Sequence, residues 1–487
     1  MNRRSAVFIL LVIVLALLTL ASGAVLASGR RAPTATWVVN NTEDESGPCT
    51  VDFCSLRQAI EAANGTEGDD TITFEIPTDD PGYDPEAGKW TILLESALPT
   101  LSDPDSLIVD ATVGRADDCS TYVILDATNV SYGLEITGAN KAWRGVVIKN
   151  AQTHGLYIHG AAAQSNTLAC SYVISNAVDG VHIAAGAAHN TIGDTTTDQP
   201  NVIALNGSDG VEITNGAHHN TLVYNIIGAD LSGSVVRPND EWGVRISGDS
   251  TTNTVGLIGQ AGNNLISGNV LGGVLISGSG SRDNVIQNNR IGTDSGGAVS
   301  LGNQDDGVVV ASAPYNTVGP DNLISGHRRD GVRVEGGAAA YNVIRGNKIG
   351  TDANGNDRVT NGRFGVWLDG ESNHTTVGTQ TQGNLISGNG YEGDYAVAGG
   401  VRIIGSDHNV LCNNGIGVTG GGGGLPNGGP GGRVEAGGYA LNYTIGQPVV
   451  GVNSEGDYAL CAGFWCGGEA EAAPEYEIYL PLVVRNF

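Results

Sequence analysis

Residues 273–294 read GVLISGSGSRDNVIQNNRIGTD. The stretch opens Gly-aliphatic-x-aliphatic, and alternation over so short a run points Val274 and Ile276 to one face and Leu275 to the other. An Asn-aliphatic-aliphatic element follows at 284, and Ile-Gly-Thr-Asp closes the run. Gly and Asn bound each piece because both accept positive φ. Strands of three to five residues cannot stand alone, so the stretch needs neighbours built like itself.

The chain supplies them. The first element recurs as GLYI (155), GVHI (180), GVEI (210), GVRI (243), GVVV (307), GVRV (331), GVWL (365) and GVRI (400). The Asn element recurs as NVIALN (201), NTLVYN (220), NLISGN (264), NLISGH (322), NVIRGN (342), NLISGN (384) and NVLCNN (409), read here as one position of the turn. NTIG, NTVG, NTVG and TTVG (190, 253, 316, 375) precede the NLISGN-type element, whereas alternate units end IIGAD, RIGTD, KIGTD and GIGV. Gly180, Gly243, Gly307 and Gly365 are therefore 63, 64 and 58 residues apart, a double period. Single units of this length with two or three strands fit one turn of a parallel β-solenoid, in which stacked turns bury a column of Val, Ile and Leu. Propeller blades would need regular four-stranded units, which these lengths do not suit. The expected fold is all-β: a right-handed parallel β-helix of about ten turns, with Asn at a corner of each turn laddering to the turns above and below.

The open ends of a solenoid need covers. SLRQAIEAAN (55–64) predicts a short amphipathic capping helix, with Ser55 and Gln58 as a capping box and Leu56 and Ile60 on one face. GVTGGGGGLPNGGPGG (417–432) reads as a linker. Beyond it lies a small β element, then an acidic stretch and the apolar end IYLPLVVRNF. The expected organisation is 1–27 signal peptide, 28–125 cap and first strands, 126–418 repeats, 419–434 linker, 435–468 small β element and 469–487 tail.

Arg3 and Arg4 ahead of a long apolar run, with Val25-x-Ala27 after it, have a secretory signal layout. An uncleaved anchor is the alternative. Cleavage would leave no membrane span and place the chain outside the cell or on its surface. Seven cysteines suit that compartment. Cys49 with Cys54, and Cys461 with Cys466, have spacings fit for local loop-closing disulfides, and Cys119, Cys170 and Cys412 remain. A net charge of −27, with 51 acidic against 24 basic residues, excludes a phosphate-backbone partner, so no nucleic acid is expected.

CSLRQAIEAAN (54–64) is similar to the Cys-Ser-Leu-Arg-Glu-Ala segment that opens many secreted bacterial repeat proteins. The repeats GVxI, NTVG, GNLISGN and NxIGTD resemble those of the right-handed parallel β-helix, pectin-lyase-like superfold, over roughly residues 36–418. The resemblance implies the architecture, and it implies little about activity, because that superfold hosts lyases, hydrolases, epimerases, adhesins and stalks. The C-terminal segments resemble modules on bacterial exported proteins, which implies surface display.

The outward residue of each GVxI strand forms a row: Tyr157, His182, Glu212, Arg245, Leu275, Val309, Arg333, Trp367 and Arg402. In enzymes of the superfold the corresponding face often lines the substrate cleft. His182, Glu212 and Arg245 bring an acid, a base and a cation to successive turns, and Trp367 between Arg333 and Arg402 is a place for a sugar ring to stack. Cross-strand ion pairs that stabilise a sheet face give the plainer reading of the same residues. The motifs of polygalacturonases, pectate lyases and alginate epimerases are missing, so no catalytic residue is assigned. Asp352-x-Asn354-x-Asn356-Asp357 resembles the front of a calcium loop, but Arg363 stands where the closing carboxylate belongs. Its counterparts at Asp230 and Asp294 keep only the first Asp, which suits an Asx-turn. No cofactor is expected apart from an incidental calcium ion at Asp352. The function expected is a structural, adhesive or carbohydrate-binding surface protein whose partner is a polysaccharide or another cell-surface component. The alternative is a polysaccharide lyase, hydrolase or epimerase.

Overall fold

The computed structural model describes residues 35–102, 105–112, 123–194, 199–259, 263–390, 399–406 and 408–416, with the backbone of four short strands between 433 and 461. The signal segment, the Gly-rich linker, Cys119 and Cys466 lie outside the described residues. Among the described residues no helix is long and apolar enough to cross a membrane. The chain forms two compact units, Met1–Ile226 and Ile227–Phe487.

The second unit shows the repeat most plainly. Val274–Ser277, Val285–Ile286 and Arg290–Ile291 make one turn, and Val308–Ala311, Thr317–Val318 and Leu323–Ile324 make the next. Each strand pairs in parallel with its counterpart: Ile276 with Val310, Ile286 with Val318, Ile291 with Ile324. The first unit repeats this with Val181–Ala184, Thr191–Ile192 and Asn201–Ala204. Strands of the GVxI type number four in the first unit and six in the second among the described residues, in keeping with about ten turns. Each unit is right-handed parallel β-helix, three strands to the turn.

This register corrects one sequence-based alignment. NVIQNN at 284 shares its sheet with NTVG at 316, because Val285 pairs with Thr317. NLISGH at 322 pairs instead with the RIGTD that ends the preceding turn, Arg290 opposite Leu323. The double period therefore reflects alternating loop lengths around three constant strands. In alternate turns a long loop follows the third strand, from Ile227 to Val244, from Ile291 to Val308 and from Ile349 to Phe364.

Asn ladders hold all three corners, not one. Asn253, Asn284, Asn316 and Asn342 form one ladder in the second unit. The backbone N–H and the Nδ2 of Asn284 both donate to Oδ1 of Asn316, at 2.9 and 3.1 Å, and Nδ2 also donates backwards to the Ser250 carbonyl at 3.0 Å. Asn264, Asn289, Asn322, Asn347, Asn384 and Asn414 form the second, and Asn239, Asn269 and Asn303 the third. The first unit has equivalents in Asn166–Asn190–Asn220, Asn201–Asn225 and Asn176–Asn206. Each carboxamide thus satisfies donors and acceptors that the chain exposes where it bends inside the protein. The core between the corners is aliphatic, with Ile266, Ile291, Ile324, Ile349 and Ile386 fully buried in one column. Glycine heads the GVxI strand because turns approach closely there: a Cβ on Gly307 would stand 2.5 Å from the Gly331 carbonyl oxygen and 2.6 Å from Ile324.

The third ladder has an irregular rung. His327 stands where Asn is expected, its Nε2 reaching the Ile291 carbonyl at 3.0 Å as the Nδ2 of Asn303 reaches Ile266. Its Nδ1 is buried with no partner, and burial pushes the imidazole down to about 4.

The capping helix is Leu56–Gly65, with Ser55 as N-cap and the reciprocal Ser55–Gln58 box formed. Leu56, Ala59 and Ile60 are fully buried. Arg57 is buried too, bidentate to Asp44 at 2.9 and 2.8 Å and donating to the Ser96 and Ala97 carbonyls. Cys49 and Cys54 are joined in the loop before the helix, as their spacing suggested. Cys170 is disulfide-bonded, and Cys412 is buried. In the C-terminal element Ala459–Cys461 pairs in parallel with Val410–Cys412. The expected Cys461–Cys466 bridge lies outside the described residues.

Two substitutions test the ladders. Asn316→Ala strips both Asn284 donors of their acceptor and the Ser281 carbonyl of a donor, and is expected to cost about 3 kcal/mol in denaturant unfolding. His327→Asn, which completes a rung, is expected to stabilise by about 1 kcal/mol.

Candidate functional site

The outward row exists as a line of paired residues. Glu135, Tyr157, His182 and Glu212 stand opposite one another on successive turns of the first unit. Arg245, Leu275, Val309, Arg333, Trp367 and Arg402 do so in the second. Beside the row runs a second column, made by the residue before each heading glycine. It comprises Tyr132, His154, Asp179 and Asp209 in the first unit, and Trp242, Gly272, Asp306, Asp330 and Phe364 in the second.

In the first unit, row and column merge into one cluster. His182 Nδ1 lies 2.8 Å from Asp179 Oδ2 and 3.2 Å from Glu212 Oε2. His154 Nδ1 approaches the same Asp179 oxygen at 3.0 Å, an ion-pair contact. The two imidazoles stack at 4.2 Å. The other Asp179 oxygen accepts the Asp209 backbone N–H at 3.1 Å. Burial by itself lowers the His182 basicity, but its bonds to Asp179 and Glu212 prevail and push it up to about 9. Burial would raise Asp179, and the imidazoles outweigh this and hold it well below the usual carboxylate range. Tyr157 extends the cluster, packing on Tyr132 at 4.7 Å and stacking on His159 at 4.1 Å, while His159 Nε2 meets Glu135 at 2.8 Å. Rings, carboxylates and imidazoles therefore share one face, held by a rigid parallel sheet.

Of the expected triplet, His182 and Glu212 meet. Arg245 falls in the second unit, where its guanidinium lies 3.7 Å from Glu241. The column residues His154, Asp179 and Asp209 escaped the sequence reading, which followed only the outward position of GVxI. Their signal was the residue preceding each such glycine, in HGLYI, DGVHI and DGVEI.

In the second unit Trp367 is wrapped by cations. The guanidinium carbons of Arg333 and Arg363 lie over the indole at 4.6 Å each, and that of Arg402 at 5.2 Å. Arg333 also pairs with Glu335 at 2.5 Å, and the Trp367 Nε1 is a buried donor with no partner. An incoming ligand would meet arginine edges before bare indole. His189 and His219 stack at 4.9 Å, and Tyr315, Tyr341, His374 and His408 stack at 5.1, 4.7 and 4.9 Å, all at positive φ before the corner position. They are packing ladders.

The Asp352 loop resolves into a turn. Asp352 Oδ1 accepts the backbone N–H of Asn356 at 2.7 Å and of Asp357 at 3.0 Å. Asp230 and Asp294 do the same for Ser234 and Val235, and for Ala298 and Val299. Loops with and without the extra Asn and Asp close identically.

Comparison with known proteins adds likenesses. The structure is similar to the A-module of a mannuronan C-5 epimerase from Azotobacter vinelandii, with 14% identity, 74% of this chain and 95% of that chain covered, and TM-score 0.40. It is similar to the surface protein and adhesin PfbA of Streptococcus pneumoniae, with 12% identity, 74% and 92% covered, and TM-score 0.31. A pectate lyase shows 13% identity over 75% of this chain and 80% of its own, with TM-score 0.28. No protein-family model matches the sequence, and no curated protein matches it. The functional reading therefore rests on the site itself.

The column in the second unit gives a pH prediction. Asp330 donates its backbone N–H to Asp306 Oδ1 at 2.7 Å, and both carboxyls are buried. Burial first, then the charge of Asp330, pushes Asp306 up to about 7, against Arg329, which lowers it. The folded chain thus keeps a proton that the unfolded chain releases, and this contribution to stability is lost as pH rises from about 4 to about 7. His327, pushed down to about 4, acts in the opposite sense over much of that range and is common to both proteins, so the difference is the test: Asp306→Asn should gain melting temperature relative to the wild type as pH rises from about 4 to about 7.

Proposed function

We propose that the protein is an exported, cell-surface β-helix protein that binds carbohydrate through the outward row. The supporting observation is the cluster around Tyr157. It sets aromatic rings (Tyr132, Tyr157, His159) beside hydrogen-bond acceptors (Glu135, Glu212) on a parallel sheet. Aromatic faces take the apolar faces of sugar rings, and carboxylates take hydroxyl donors. Arg333, Trp367 and Arg402 offer a second contact, suited to an anionic substituent. The partner class is polysaccharide, and export follows from the leader-like N-terminus.

A second reading, polysaccharide turnover, is favoured by His182 held between Asp179 and Glu212 next to Tyr157, where proton donors and acceptors lie within reach of one ligand. One experiment addresses both. Glycan-array binding without release of reducing or unsaturated ends, reduced at least about tenfold by Tyr157→Ala, supports the binder. Turnover that disappears in His182→Ala would replace the binder with an enzyme. The absence of binding to any glycan would overturn both.

A further inference from the structure

We infer that His154, Asp179 and His182, joined by Glu212, form a binding site for a divalent first-row transition metal, Zn2+ foremost. The inference does not depend on carbohydrate binding.

The geometry points there in three ways. First, two imidazole Nδ1 atoms from different turns aim at one carboxylate oxygen, at 3.0 and 2.8 Å, with a second carboxylate 3.2 Å from His182. The ligand atoms of His154, Asp179 and His182 all lie within 4.8 Å of one another. Ligands about 2.0–2.1 Å from a tetrahedral ion stand roughly 3.3 Å apart, so an expansion of a few tenths of an ångström would seat one. Second, His154 Nδ1 is buried and without a hydrogen bond, although a carboxylate oxygen lies near it. A metal would bind that nitrogen directly, where the protein offers it only a carboxylate oxygen shared with His182. Third, Asp179 is positioned from behind, because its other oxygen accepts the Asp209 backbone N–H. That outer bond is the kind that orients ligating carboxylates in metal sites.

The donor set decides the metal class. Two imidazoles with one or two carboxylates suit Zn2+ and its first-row neighbours, whereas Ca2+ and Mg2+ call for oxygen cages. The side chains are mostly buried but not sealed: His154 keeps 16% and His182 13% of its side-chain surface exposed, so an ion could enter from the sheet face. A plain ion-pair cluster is the competing explanation, and it makes a different prediction about added metal.

The test uses the metal-stripped full chain and Zn2+ alone, with Ca2+ as comparator, read by calorimetry and by thermal shift. The site predicts one Zn2+ per chain that survives His218→Ala/His219→Ala, which removes the exposed neighbouring histidines. It also predicts a Zn2+-dependent rise in melting temperature and at least about tenfold weaker binding in His154→Gln and, separately, in His182→Gln. Two conservative variants are used so that a folding defect in one, visible in its metal-free melting curve, leaves the other to decide. The proposal is overturned if Zn2+ does not bind, if it binds equally well in both Gln variants, or if Ca2+ binds as tightly.

Discussion

The buried carboxamide at each corner is the interaction on which the rest depends. A chain that turns three times per coil inside its own core exposes backbone donors and acceptors away from water, and leaving them unpaired would cost more than the short strands can return. Asparagine meets the need because its side chain carries both functions at one bend. In Asn289 the Nδ2 serves Asn322 in the next turn and the Val255 carbonyl in the previous one. Aliphatic strands as short as Val285–Ile286 and Thr317–Val318 are possible only between such corners.

With the corners fixed, the faces between them become a scaffold of constant spacing. Neighbouring turns place equivalent side chains opposite one another, so chemistry is written one residue per turn. The first unit uses this to gather Tyr132, His154, Tyr157, Asp179, His182 and Glu212 into one patch. The second builds Trp367 into a stack of arginines. Both draw on the same two positions of the repeat, the outward residue and the one before the glycine, with Arg363 added from two residues before Gly365. Substitution at those positions leaves the core column untouched, which is how one frame can carry different surfaces.

Much of this was legible in the sequence. Glycine spacing gave the turn count, the GVxI alternation gave the outward row, and Ser55 with Gln58 gave the cap. The alignment of Asn elements failed for a physical reason. Two-residue strands at two different corners share the pattern Asn-aliphatic-aliphatic, and only pairing partners tell them apart, as Val285 with Thr317 and Arg290 with Leu323 do. His154 and Asp179 were missed because a residue ahead of glycine reads as turn chemistry. Its direction beside the row is set by how closely the turns approach at Gly155 and Gly180. The Asx-turn read at Asp352 is formed, and Asp230 and Asp294 close the same turn without its extra Asn and Asp.

Backbone amide exchange across the corners tests the central claim most directly. Peptides of the second unit containing Asn284, Asn289, Asn316 and Asn347 should exchange most slowly, because their N–H groups are held by the next rung. The exposed loop 257–259 should exchange first. Exchange at those asparagines as fast as in that loop would contradict the ladder, and with it the reading of everything placed on its frame.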